Sequence, residues 1–397
     1  MPTSRAYSFM AASMVIYLFG NQTQVGWLYV VAALLLGIVL AGWWMNRGVL
    51  SHLEGNRQIG DGQDREFYEA EAVDITLTLR KRAGGTTHHL RVREECPLAA
   101  PDSPTQSMQL FIPSLSKQQA VQFTYPVTLD RRGVHLFPDN RSDSRAPFGF
   151  FRREGKLHIK TSVLVYPEVR PLQRFAFLER TLNAQIARPR AGVGYEVMGV
   201  RPYRAGDSPR HIHWRSVART GVLISKEFAD EAQPGLTLVI DLFEHPYPPE
   251  RSKHTPFEWA VKAAASIGDY AQHKGYRLHL LSDDEATPAP RGVVDRRALL
   301  EYLARVQPQG KRPLEQVIGA QAVQAFVVVI LPWPEPTLIQ PLITLRQQGA
   351  NVMAVVMAAH SFPKAGSDSS TLCEPLRNAD IEVREVVFGD DWVEQLT

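Results

Sequence analysis

The residues whose types and spacing could do chemistry are concentrated in one run, GYEVMGVRPYRAGDSPRHIHWRSVARTGVLISKEF, at positions 194–228. From 172 to 228 there are nine Arg and one Lys against four acidic residues. The preference for Arg matters, because a planar guanidinium forks onto carboxylates, phosphates or backbone carbonyls and stays charged when buried. Gly206, Asp207, Ser208, Pro209 and Arg210 form a turn signal that sets a carboxylate acceptor beside the arginines. If the next residues are extended, Ile212 and Trp214 make an apolar face and His211, His213 and Arg215 a basic one. Two readings follow. In one, Asp207 accepts from Arg210, Arg215 or Arg219, Glu196 and Glu227 compensate other arginines, and Trp214 is the packed anchor of an interdomain network. Such pairs fix geometry more than they add stability. In the other, the arginines form a basic docking surface for an acidic partner face or a phosphate-bearing ligand.

Catalytic chemistry finds little support. His211 and His213 would point one way on a strand and could share a metal, but no Cys lies nearby and the spacing specifies no third ligand. The acidic pairs Asp283–Asp284 and Asp390–Asp391 read as solvated loop charges. Nucleophile-elbow, zinc-protease and phosphate-loop motifs are missing from the sequence. The expectation is a protein that is not an enzyme and needs no cofactor. Two cysteines, Cys96 and Cys373, make neither a disulfide framework nor a cysteine zinc module. With 44 Lys+Arg against 41 Asp+Glu, the net charge of +3 does not suit a nucleic-acid binder. A length of 397 residues implies two or three domains.

The elements that must position the arginine run begin with a membrane signal. Residues 26–45 (GWLYVVAALLLGIVLAGWWM) carry no charge and are long enough to span a hydrocarbon core of ~30 Å. Trp27, Tyr29, Trp43 and Trp44 mark its two ends. Residues 7–20 form a shorter uncharged run, and the polar link Asn21–Gln24 makes the two a transmembrane hairpin within residues 1–50. A signal peptide fits poorly, since the second run follows at once and only Arg5 precedes the first. Arg5 before the pair and Arg47, Arg57 and Arg65 after it place both ends, and the soluble remainder, in the cytoplasm.

From 65 to 170 short alternating runs (71–79, 89–92, 109–112, 121–129, 133–137 and 158–165) predict strands of a small antiparallel sandwich. The turn-rich stretches 83–85, 101–104 and 138–144 separate them. Residues 171–234 form the signature segment, opening with an amphipathic helix at 172–187; Gly192 and Gly194 give the backbone freedom ahead of a strand. From 235 to 397 strands (236–243, 276–281, 325–331, 351–357, 382–388) alternate with helices (257–273, 296–306, 336–348, 372–378). That alternation specifies an α/β unit with a mainly parallel sheet. Ligands in such sheets sit at the carboxyl ends of the strands, which directs attention to Asp241.

Taken together, the apolar pair, the β-rich region, Arg132–Gly133, Pro147–Phe148–Gly149–Phe150, Val165–Tyr166–Pro167 and the arginine run resemble a bacterial membrane family, domain of unknown function 58. The specific residues are Gly194, Glu196, Arg201, Tyr203, Gly206, Asp207, Arg210, Ile212, Trp214, Ala218, Arg219 and Gly221. The resemblance implies an immunoglobulin-like sandwich, a von Willebrand factor A-like domain and a place in the bacterial inner membrane. It also implies partnership with AAA+ ATPases of the MoxR type, often beside transglutaminase-like membrane proteins. The metal site of a von Willebrand A domain needs Asp-x-Ser-x-Ser; here Asp241 is present, but Phe243 and His245 replace the serines. The strand at 325–331 ends in Pro332–Trp333–Pro334 without an Asp, so a metal-free binding fold is expected, Asp241 being the residual metal candidate. The alternative function is a divalent-metal-dependent binder or hydrolase using Asp241 with His211 and His213.

Overall fold

The computed structural model describes residues 1–62, 65–179, 191–204, 208–229, 234–243, 252–283, 288–319, 325–363 and 369–397. The chain forms two compact units, Met1–Tyr166 and Pro167–Thr397.

The first unit opens with two helices, α1 (Ser4–Thr23) and α2 (Gly26–Asn46), so both expected apolar segments are helical. Gln24 turns the chain between them in a left-handed conformation, and its N–H caps the Gly20 carbonyl. The buried residues of α1 are Ala6, Ser13 and Gly20, spaced by seven; Ala32, Val39 and Asn46 of α2 repeat the same spacing. Small residues on one face let two apolar helices approach closely. A Cβ on Gly20 would stand 3.2 Å from that of Leu28, and the Ser13 hydroxyl donates to the Ala32 carbonyl at 2.8 Å. Among the described residues, α2 alone is both long and apolar enough to cross a membrane.

Ten strands complete the unit: β1 (Leu53–Ile59), β2 (Phe67–Tyr68), β3 (Ala72–Lys81), β4 (Thr87–Glu95), β5 (Ser107–Leu115), β6 (Ala120–Thr128), β7 (Gly133–Leu136), β8 (Asn140–Ser144), β9 (Arg153–Leu157) and β10 (Ser162–Tyr166). They pair as β1-β3-β6, β5-β4-β8-β9 and β2-β10-β7, antiparallel except for β2 with β10. Period-two burial along β3 sends Val73, Ile75, Leu77 and Leu79 into two apolar clusters. Residues 138–144, expected to be a turn, contain β8. Its inward side chains are polar (Asn140, Ser142 and Ser144), so apolar alternation could not reveal it. Ser142 and Ser144 donate to the Gly155 and His88 carbonyls, and Asn140 meets a buried ion pair. Arg57 donates to Glu94 through Nε at 2.9 Å and Nη2 at 3.0 Å, while Asn140 bonds to both side chains and the Tyr125 hydroxyl donates to Glu94.

The second unit begins with a two-stranded antiparallel ribbon, β11 (Ala191–Pro202) and β12 (Ile224–Ala229), with α3 (Trp214–Thr220) between them in sequence. Gly192 falls inside β11, where the register shifts between 192 and 197, rather than before the strand. Of the helix expected at 172–187, residues 176–179 are helical and 180–187 lie outside the described residues.

The rest of the unit runs β13 (Gly235–Ile240), α4 (Pro256–His273), β14 (Arg277–Leu281), α5 (Arg296–Arg305), α6 (Leu314–Gly319), β15 (Phe326–Leu331), α7 (Ile339–Gln347), β16 (Asn351–Met357), α8 (Ser370–Asn378), β17 (Glu382–Val386) and α9 (Trp392–Leu396). The five strands form one sheet in the order β14-β13-β15-β16-β17, every pair parallel. β15 (FVVVIL) is buried at every position, as a strand covered on both faces must be. Thr255 caps α4 by accepting from the Glu258 N–H, with Pro256 in the first turn. The order of connection reverses between β13 and β15, which makes that gap the topological switch point.

Candidate functional site

Asp241 directly follows β13, and its N–H bonds to the Ile330 carbonyl of β15 at 3.1 Å, so it stands at the switch point. The residue is 7% exposed, and its carboxylate accepts from the Phe243 N–H at 3.1 Å. Burial pushes the carboxyl up to about 7; the Phe243 N–H pulls the other way, and the Glu335 charge adds to the rise. A carboxyl that changes charge near neutrality is a candidate proton-linked or ligand-linked group. The backbone packs closely beside it. Gly310 bridges to Phe243, its N–H donating to the Leu242 carbonyl at 2.7 Å, and a Cβ there would meet the Asp283 and Leu242 carbonyl oxygens at 2.6 and 2.8 Å.

The acidic loop pairs are not merely solvated. Asp283 is buried and takes the Arg312 backbone N–H at 2.8 Å and its Nε at 2.7 Å. Burial alone would raise this carboxyl, but the Arg312 bonds outweigh it and hold it below the usual range. Asp391 forms a bidentate pair with Arg170, both bonds 2.8 Å, which lowers its carboxyl, and it caps α9 through the Val393 N–H. Both arginines lie far away in sequence, so nothing local to either acidic pair announced them. Asp284, Glu244 and His245 lie outside the described residues. Among the described residues no group of three or more His, Cys, Asp or Glu is placed to hold a metal ion.

The arginine signature takes a different shape from the extended run expected. Pro209 starts a single 3-10 turn (Pro209–His211), Ile212 makes an isolated bridge to Ser225, and Trp214 opens α3. His211 and His213 therefore do not share a strand face. His211 is exposed, and His213 Nδ1 lies 2.6 Å from the Ser216 hydroxyl. Trp214 is not a packed anchor, since its side chain is 64% exposed. Val200 of β11 is exposed, as are Val222 and Leu223 just before β12, where the Tyr203 N–H bonds the Leu223 carbonyl at 2.9 Å. Arg204, Arg215 and Arg219 are also exposed, and among the described residues Arg215 and Arg219 have no acidic partner. Arg201 is half-buried and bonds the Pro202 carbonyl at 3.2 Å. Gly206 and Asp207 lie outside the described residues, as do the side chains of Glu196, Arg210 and Glu227. The exposed Val200, Val222 and Leu223 gave no sequence signal of their own.

A helix pair, a β-rich region and a doubly wound parallel sheet preceded by an arginine-rich ribbon define the class of chain. Residues 199–369 match the model of the family described as protein of unknown function DUF58. It is 21% identical over 352 residues to "Uncharacterized protein YeaD" of Bacillus subtilis (strain 168), covering 84% of this chain and 83% of that one. Structural likenesses are slight. The sporulation control protein Spo0M of Bacillus subtilis matches at a TM-score of 0.17 and 10% identity, over 36% of this chain and 58% of that one. A GH20 exo-β-N-acetylglucosaminidase of Vibrio harveyi matches at 0.22 and 10% identity, over 83% and 60%. Neither carries an argument about fold or activity.

Proposed function

We propose that this chain is a non-enzymatic, membrane-anchored interaction module, an adaptor for an AAA+ ATPase of the MoxR type in assembling or maturing an envelope or metalloprotein complex. The helix pair would hold it in a bacterial inner membrane as a hairpin, with the immunoglobulin-like and von Willebrand A-like units in the cytoplasm. One observation carries the reading: Trp214, Val222 and Leu223 are all exposed, and Arg215 and Arg219, on the same helix as Trp214, have no acidic partner among the described residues. Tryptophan and arginine are the side chains most often found at the energetic centre of protein interfaces. A basic rim around an apolar centre suits an acidic partner face, which it would both attract and orient. The ATPase itself rests on the family resemblance.

The test is crosslinked affinity purification from native membranes, with and without ATP, using wild type, Trp214→Ala and Arg215→Glu. Recovery of an AAA+ ATPase by the wild type and its loss in variants of unchanged thermal stability supports the adaptor. A bait that brings down no ATPase in either nucleotide state overturns it.

A further inference from the structure

The foot of the helix pair is gripped by a loop of the β-rich part of the same unit. The Thr3 N–H donates to the Phe150 carbonyl at 2.8 Å, and the N-terminal ammonium to the Arg152 carbonyl at 2.7 Å. From the other helix, Asn46 Nδ2 donates to the carbonyls of Ala146 (3.1 Å) and Phe151 (2.8 Å). One loop, residues 146–151, thus satisfies polar groups at the start of α1 and the end of α2. It also enters the apolar zone. Phe150 is buried with Ala6 and Val39 and lies 4.8 Å, ring to ring, from Phe9. Val39 is about 10 Å up the helix from Asn46 at 1.5 Å per residue, well inside the uncharged stretch of α2. Phe148 lies 5.9 Å, ring to ring and tilted, from Phe150, sits 3.5 Å from where a Gly42 Cβ would be, and is 49% exposed. Trp43 and Trp44 flank the same level.

We propose that loop 146–151 is a third membrane-contacting element, a phenylalanine wedge seated in the bilayer interface at the foot of the helix pair. This rests on the reading of that pair as membrane-inserted. Its occupant is the lipid interface, because the loop continues the apolar surface of α2 and is ringed by cations. Arg5 reaches within 3.6 Å of a Gly149 Cβ position, and the Arg47 guanidinium sits 3.6 Å above the Trp43 ring. Arg145 and Arg153 are exposed at the two sides of the loop. Apolar and aromatic side chains below a collar of arginines match acyl chain below phosphate. The wedge would fix the β-rich part at a set height on the membrane, where flexible tethering by the helices alone would not.

The experiment uses the full chain in vesicles of phosphatidylethanolamine and phosphatidylglycerol. Both native cysteines are buried, so single cysteines can be labelled with an environment-sensitive dye and quenched by spin-labelled lipid. Labels go on Phe148→Cys, on Leu34→Cys in the middle of α2, and on Asp102→Cys beyond the far end of β4. The expected result is a blue shift and loss of emission at positions 148 and 34, with none at 102. Quenching at 34 without quenching at 148 overturns the wedge alone. No quenching at 34 overturns membrane insertion, and the wedge with it.

Discussion

Asp241 shows how a single buried group can carry a testable charge. Its folded-state carboxyl holds a proton up to about 7, whereas in the unfolded chain it loses it near 3.9. Between those values the native state binds more protons than the unfolded one, so this residue's contribution to stability falls as pH rises. Asp241→Asn removes the titration while keeping an acceptor for the Phe243 N–H. Relative to wild type, the variant is expected to gain about 2–3 kcal/mol of stability between pH 5 and pH 8, read from urea midpoints at both values. A difference that stays constant with pH would mean that the carboxyl ionises as an ordinary surface group. Arg57 and Glu94 use the opposite solution: each side chain is fully buried, and each compensates the other through two hydrogen bonds.

At the scale of elements, the loops at the sheet's carboxyl edge are as constrained as the strands. Gly310 touches the backbone of Leu242 and Asp283 so closely that a methyl group must push carbonyls apart, which no rotamer change relieves. Gly310→Ala is expected to cost about 1–3 kcal/mol and to loosen the bridge to Phe243, seen as faster exchange of the amide at position 310. An alanine variant with wild-type stability and exchange would show the segment to be slack. Such closeness is invisible in sequence, and so were the polar-inward strand Asn140–Ser144 and the Arg312 partner of Asp283. The helices and strands of the α/β unit were legible because each carries its own period: β15 a continuous apolar run, α4 a cap followed by apolar residues at helical spacing. The signature was legible as residue types and misread as conformation. Pro209 and the pairing of Ile212 with Ser225 override the alternation at 211–215 and turn Trp214 outward. Whether a residue of that type is a packed anchor or an exposed one is decided by tertiary packing, which no spacing in the run encodes.

For the whole molecule, the deciding property is which side of a membrane each part occupies. The turn between the two helices, around Gln24, carries no charge, whereas Arg5 precedes the pair and Arg47 and Arg57 follow it. Cations close to the ends of an inserted segment stay on the cytoplasmic side, which would leave only the turn exposed outside. Ser13 packs closely against Ala32 and Gly20 against Leu28, so under the proposed hairpin reading the helices would insert as a pair, since separating them would expose the Ser13 hydroxyl to lipid. Thr23→Cys in intact spheroplasts is therefore expected to react with a membrane-impermeant maleimide, while Ser208→Cys reacts only after lysis. The buried Cys96 and Cys373 keep the background low. Reaction at 208 but not at 23 before lysis would invert the orientation and remove a cytoplasmic ATPase from the partners that Trp214 and its arginines could meet. Reaction at both before lysis would mean that the chain crosses once, with α1 lying outside beside the soluble units.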